Sequence, residues 1–315
     1  MTTIWPKENI SIDGTVVETT APIIISASRA TDIPAFYAKS FVDQFKRGFL
    51  FWTNPFNGIK MPISLKKVRL IVFWTKNAEP IIPMLSKLDD LKIDYYFNYT
   101  LNNYDNERLE NNLPSLETRI NTFIRLSEKI GKEKIIWRFD PIVLLKNQTN
   151  NEIIEKIAEI ANKLYQFTDK LVFSFIDTNY KKVQQNLIKS NIEIKLFNEN
   201  DKYLFANKLS NKLSAYRLKI STCAESLNLL EFGIEHNKCI DDELIMKLFR
   251  QNEELIQFVE MLKAKNKIKD KGQREFCNCI PSKDIGRYNT CRYSCTYCYA
   301  GHYNSEGGKN ISLFD

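Results

Sequence analysis

Six short apolar runs, each followed by a polar loop and most then by a stretch of helical periodicity, constrain this chain more than any other feature. The predicted strands cover residues 23–28, 68–74, 95–100, 134–139, 171–176 and 217–222. Between them, Phe36, Phe41 and Phe45 before Gly48, and Leu116, Ile120, Phe123, Ile124 and Ile130 before Gly131, recur at helical spacing. Thr149 and Glu152 form a capping box ahead of Ile153, Ile157, Ile160 and Leu164, and a further helix runs through Leu204, Phe205, Leu209 and Leu213. Strands that alternate with amphipathic helices predict an α/β fold with a parallel sheet. The chain has ten glycines but neither a G-x-G-x-x-G nor a G-x-x-x-x-G-K stretch. A partial (β/α)6 TIM-type barrel is therefore preferred over a flat nucleotide-binding sheet. Two hairpins are expected beside it, one around Asp13-Gly14 and one across Asn54–Gly58. The predicted division is a barrel with its N-terminal hairpin over residues 1–262 and a cysteine-rich iron–sulfur segment over 263–315.

Six strands in a parallel sheet place chemistry beyond their carboxyl ends. Those ends read as a polar rim containing Ser28, Arg29, Thr75, Lys76, Asn77, Asn98, Arg138, Asp140, Asp177, Cys223 and Glu225. Helix capping explains short polar residues at such places as well as function does. Arg29, Lys76, Arg138 and Glu225 stand out, because a long charged side chain at a barrel mouth is costly unless it is paired or faces a ligand. Asp140, Asp177 and Glu225 would serve a barrel hydrolase as acid and base, although no spacing singles out a pair.

Composition narrows the function classes. With only His236 and His302 available, a histidine-rich metal site or a Ser-His-Asp hydrolase has little material. The N-terminus shows no basic-then-apolar signal and no apolar run reaches membrane-spanning length, so a cytoplasmic protein without a membrane partner is expected. All seven cysteines lie after residue 220, and in a reducing compartment thiols are kept for metals or catalysis. The net charge of +7 and the lysine-rich stretch from Lys263 to Arg274 are compatible with a nucleic-acid partner, but most such runs are solvated connectors.

The most specific signal is Cys291-x3-Cys295-x2-Cys298, with Tyr297 before the last cysteine. Three thiolates on a four-iron four-sulfur (4Fe-4S) cluster leave one iron open to a small molecule. The same residues with His302 would instead close a tetrahedral zinc site, making the chain a zinc-stabilised, basic nucleic-acid-binding or adaptor protein. Four cysteines remain, Cys223, Cys239, Cys277 and Cys279, the number that an auxiliary cluster or a structural zinc requires; the alternative is that some are small apolar core residues.

The cysteine triad with its tyrosine resembles the signature of the radical S-adenosylmethionine superfamily, whose core is a partial barrel of six β/α units. Over nearly its whole length the chain resembles an uncharacterised radical-S-adenosylmethionine-like family with the motif at the C-terminus. The supporting stretches are residues 26–34, Phe73–Asn77, Arg138–Pro141, Cys223–Glu225 and Asp284–Thr290. The resemblance implies that Cys291, Cys295 and Cys298 hold the cluster and that S-adenosylmethionine chelates the open iron. Reductive cleavage of the sulfonium by an electron from an external flavodoxin- or ferredoxin-type protein would then give an adenosyl radical that acts on an unidentified substrate. Ser28, Arg29, Thr75, Asn77, Asn98 and Tyr297 would contact the cofactor, with Cys223, Glu225, Arg138 and Lys76 as catalytic candidates. Cys223 is either an auxiliary-cluster ligand or a hydrogen-atom donor of the kind found in radical enzymes that repair DNA photoproducts. Two departures accompany the resemblance. The motif follows the last strand instead of the first, so the tail must fold back over the mouth, and Thr75-Lys76-Asn77 stands where the superfamily usually has Gly-Gly-Glu.

Overall fold

A computed structural model describes residues 4–55, 57–266, 269–270, 273–304, 307 and 311–314. All six predicted strands form, as Ile24–Ala27, Leu70–Thr75, Asp94–Thr100, Ile135–Ile142, Lys170–Phe175 and Lys219–Thr222. Each pairs in parallel with the one before it, in registers such as Ile71 opposite Tyr95 and Val172 opposite Arg138. Two short strands extend the sheet to eight: Glu235–His236 beside the sixth, and Lys283–Asp284 beside the first. Neither was legible as a strand, because two residues carry no periodicity. The fold is thus mixed α/β, with an eight-stranded parallel sheet flanked by helices.

The helices follow their local signals. Ala38–Arg47 ends at Gly48, whose φ of 83° favours glycine, and the Gly48 N–H returns to the carbonyls of Gln44 and Phe45. Leu116–Ile130 starts on the Ser115 side chain, and Asn150–Leu164 carries the predicted Thr149–Glu152 capping box. Pro80 and Pro83 restrict the backbone after Glu79, and a 3-10 turn over Ile82–Met84 there precedes the short helix Leu85–Asp90. Lys181–Lys189, not anticipated, is a further amphipathic helix. The N-terminal hairpin, Lys7–Ile12 with Thr15–Thr20, turns on Asp13 and Gly14 at positive φ and joins the inserted hairpin Phe49–Thr53/Lys60–Ser64 in a separate four-stranded sheet.

Alternation along the strands gives the large sheet two buried faces. Ile25, Ile71, Phe73, Phe97, Trp137 and Phe173 belong to the larger core, with Phe41, Phe123, Ile157 and Phe205 from the helices. Ile24, Leu70, Val72, Tyr96, Ile136 and Val172 belong to a second core with residues of Asp242–Leu248 and Glu253–Ala264 and with Cys223, Cys239, Cys277 and Cys279. The tail contributes Tyr293, Cys295, Tyr297, Leu313 and Phe314 to the larger core. Residues on both sides of position 262 therefore share the same two cores. Of the lysine-rich stretch, Lys267 and Lys271 lie outside the described residues, and Lys263 pairs with Asp242 at 3.2 Å.

Candidate functional site

A cavity of about 580 Å³ lies at the carboxyl ends of the strands. Its floor comes from Ser28–Asp32, Thr75, Lys76, Thr100, Arg138, Asp140, Ser174 and Asp177, and its roof from the tail between Asp284 and Gly301. The tail folds back over the strand ends and is pinned there. Asp284 accepts hydrogen bonds from the Ser26 and Ser28 hydroxyls and from the Arg29 and Gly286 N–H groups, at 2.8–2.9 Å. At Gly286 a Cβ atom would stand 1.8 Å from Ser28 Oγ, so only glycine passes over the first strand this closely. Farther along, the Tyr37 hydroxyl donates to the Thr290 carbonyl, the Asn186 amide to the Cys298 and Gly301 carbonyls, and the Tyr299 hydroxyl to the Arg29 carbonyl.

All seven cysteines are free thiols and all line this cavity. Burial pushes the Cys291 thiol up to about 12 and raises Cys295 and Cys298 as well. A thiol so placed stays protonated until a metal cation replaces the proton. Among the described residues no three His, Cys, Asp or Glu side chains are gathered as round a single ion. In a cubic cluster each thiolate holds a different iron, so the ligands stand wider apart. His302 is exposed and absent from the cavity wall, so the closed Cys3His zinc set is not assembled here.

Behind Cys295 lies a buried polar network. Lys76 Nζ is 2.7 Å from Glu110 and donates to the Tyr297 hydroxyl at 2.8 Å, while Arg119 Nη1 is 3.4 Å from the other Glu110 oxygen. Asn102 donates to both Glu110 and Tyr297, and the Tyr297 hydroxyl donates to Glu110. Burial alone would raise the Glu110 carboxyl, but Lys76 and Arg119 outweigh it and hold the group below the usual carboxylate range. Asp32, held by the Thr75 hydroxyl and the Ala35 and Lys76 N–H groups, is pushed up to about 6 because burial outweighs those bonds.

Of the residues singled out by sequence, Ser28, Arg29, Thr75, Lys76, Arg138, Cys223 and Tyr297 reach the cavity. Asn77, Asn98 and Glu225 are not on its wall. Asn98 is fully buried, donating to the Cys239 carbonyl and accepting from Arg138; Asn77 caps the Glu79 N–H; Glu225 is held by Lys202 at 2.8 Å and by the Phe175 N–H. Those three shape the strand ends. Sequence reasoning missed Glu110 and Arg274. Glu110 sits in an irregular segment without pattern, whereas Arg274, at the end of the lysine-rich stretch, lines the cavity.

Fold and site together define an α/β protein with an eight-stranded parallel sheet and a cysteine-lined cavity at the strand ends. The chain belongs to the family described as domain of unknown function DUF1848, whose model matches residues 24–300. No curated protein matches it. Among solved structures, it is similar to a triazine hydrolase from Arthobacter aurescens modified for maximum expression in E. coli, at 8% identity and TM-score 0.30, covering 62% of this chain and 43% of that one. The chain thus spans less than half the length of that hydrolase. Another similar structure is a candidate alpha-L-fucosidase from Bacteroides thetaiotaomicron, at 10% identity and TM-score 0.28, covering 77% of this chain and 95% of that one. No helix among the described residues is long and apolar enough to cross a membrane.

Proposed function

We propose that this protein is a radical S-adenosylmethionine iron–sulfur enzyme whose cluster is held by Cys291, Cys295 and Cys298. The observation that carries the reading is the meeting of these three thiols with a roomy cavity at the ends of parallel strands. The sheet supports it too. From Ile24–Ala27 to Glu235–His236 each strand lies beside its predecessor, without the reversal of order that marks a doubly wound sheet, as in the wall of an incompletely closed barrel.

When bound, the cluster and S-adenosylmethionine supply reductive cleavage of a sulfonium and hydrogen abstraction from a substrate. The chain's own residues orient and shield. Lys76, Glu110 and Asn102 fix the Tyr297 hydroxyl, and with it the backbone leading into Cys298. Tyr293 and Tyr297 pack into the larger core and keep water from one side of the thiols. Arg138 and Arg274 place positive charge along the wall, Arg138 being paired with Asp140. The reductant is a flavodoxin- or ferredoxin-type protein, and a reducing cytoplasm keeps the thiols free.

Anaerobic reconstitution with iron and sulfide, followed by assay for deoxyadenosine in the presence of dithionite, tests the reading. The wild-type chain forms deoxyadenosine, and Cys291→Ala, Cys295→Ala and Cys298→Ala abolish it. A protein that takes up a reducible cluster yet never cleaves the cofactor ends the proposal.

A further inference from the structure

We infer that the cavity takes an organic anion, a molecule carrying a carboxylate or phosphate group, and that the Arg29 guanidinium receives that group. The inference rests on the proposed function only in calling this anion the substrate; the site itself stands on geometry. Arg29 follows the first strand, Ile24–Ala27, and lines the cavity. A guanidinium is charged at every working pH, and its N–H groups form a fixed fork suited to two oxygens of one anion. One of the Arg29 nitrogens, Nη2, is buried and has no hydrogen-bond partner among the described residues. A buried cation persists at low cost only where the opposite charge is supplied.

The carboxylates on the wall are engaged elsewhere. Asp284 is occupied by the Ser26 and Ser28 hydroxyls and by the Arg29 and Gly286 N–H groups, so Arg29 bonds to it through its backbone and not through its guanidinium. Asp32 is held by the Thr75 hydroxyl and two N–H groups, Asp140 by Arg138 and Ser174, and Asp177 accepts from the Asn179 N–H. What the Arg29 guanidinium does meet is the Trp74 ring, whose centroid lies 5.0 Å from its central carbon. An aromatic face holds a guanidinium in place without satisfying its in-plane N–H groups. Of the other cations on the wall, Lys76 pairs with Glu110 and Arg138 with Asp140. Arg274 is exposed and forms no ion pair with a described residue, which gives the cavity a second uncommitted guanidinium. Trp52, Trp74, Tyr180, Tyr288 and Tyr299 supply an aromatic wall, which suits a flat organic body attached to the anionic group.

Titration calorimetry on the purified full chain, in chloride buffers, tests the site with phenyl phosphate, phenylacetate and the neutral benzyl alcohol. At least one of the two anions should bind at least about tenfold more tightly than the alcohol, the difference that one charge-assisted hydrogen bond makes. Which anion shows the preference tells phosphate from carboxylate. Arg29→Met should abolish the preference, with circular dichroism checking that the variant folds. Should it not fold, Arg29→Lys decides, because it keeps the charge but loses the fork and so lowers the preference. The same titration of the reconstituted chain with saturating S-adenosylmethionine separates substrate from cofactor: a preference that persists supports the inference, and one that vanishes assigns Arg29 to the cofactor's own carboxylate and overturns it. No preference in the wild-type chain, or an unchanged one in a folded Arg29 variant, also overturns it. Deoxyadenosine formation is read separately. A chain that binds the anion but never cleaves the cofactor ends the proposed activity and leaves the anion site standing, whereas one that cleaves without the preference overturns this inference alone.

Discussion

Replacing Glu110 by Gln removes one charge from the network behind Cys295 while keeping the shape of the side chain. The Glu110 and Arg119 side chains are fully buried and Lys76 is 17% exposed, so two cations in low dielectric depend on one carboxylate, at 2.7 and 3.4 Å. At an effective dielectric of about 20, the shorter contact alone is worth about 6 kcal/mol of gross attraction, most of it offset by desolvation. Removing one partner of a buried pair costs about 3–5 kcal/mol. The low end applies here, because Arg119 retains Asp105 at 2.8 Å while Lys76 retains the Tyr297 hydroxyl. We therefore expect a loss of about 3 kcal/mol in urea unfolding of the metal-free chain at pH 7, with a Tm lower by roughly 5 °C. The Lys76→Met/Glu110→Gln double variant recovers part of the loss, since no buried lysine is left unpaired. A carboxyl held below its ordinary range stabilises fully above its unfolded pKa of about 4.5, and that contribution disappears as pH falls through the lower folded value. The gap between wild type and variant should accordingly narrow at acid pH. A loss under about 1 kcal/mol, or a gap that widens below pH 4, would refute the electrostatic account.

Two further outcomes follow from the edge that ties the tail to the sheet. Gly286→Ala should cost about 1–3 kcal/mol in urea unfolding, because the new Cβ overlaps Ser28; in a Ser28→Gly background, which lacks the Ser28 hydroxyl bond to Asp284 from the start, the same Gly286→Ala change costs less, and an equal cost in both backgrounds would mean the strain lies elsewhere. Lys283 is pushed down to about 8 by burial, against the pull of Asp284 and the Trp52 ring beneath its ammonium. Between that value and its ordinary 10.5 the unfolded chain holds the proton longer, so wild-type stability rises with pH across this window. Lys283→Met lacks that rise and is more stable at pH 7 by up to about 3 kcal/mol, less what the ring face returns; equal pH profiles for the two chains in urea midpoints would contradict this.

The six strands and most helices were legible because each carries its own periodicity and stop signal, as at Gly48, Gly131 and Thr149–Glu152. The cysteine triad was legible for the same reason: its spacing is local. The rim was read less well, since a polar residue after a strand looks alike whether it faces the cavity, as Lys76 does, or holds backbone, as Glu225 does. The Asp284 and Glu110 contacts join residues far apart in the chain.

Sequence alone therefore determined the α/β alternation, the hairpins and the local spacing of the cysteine triad, because short-range sterics and side-chain spacing decide these. Only the tertiary structure decided that Lys283–Asp284 closes onto the first strand and that the tail lies over the strand ends. It also placed all seven thiols on one cavity. Those outcomes depend on which distant surfaces bury one another, and burial between remote segments leaves no periodic trace in either of them.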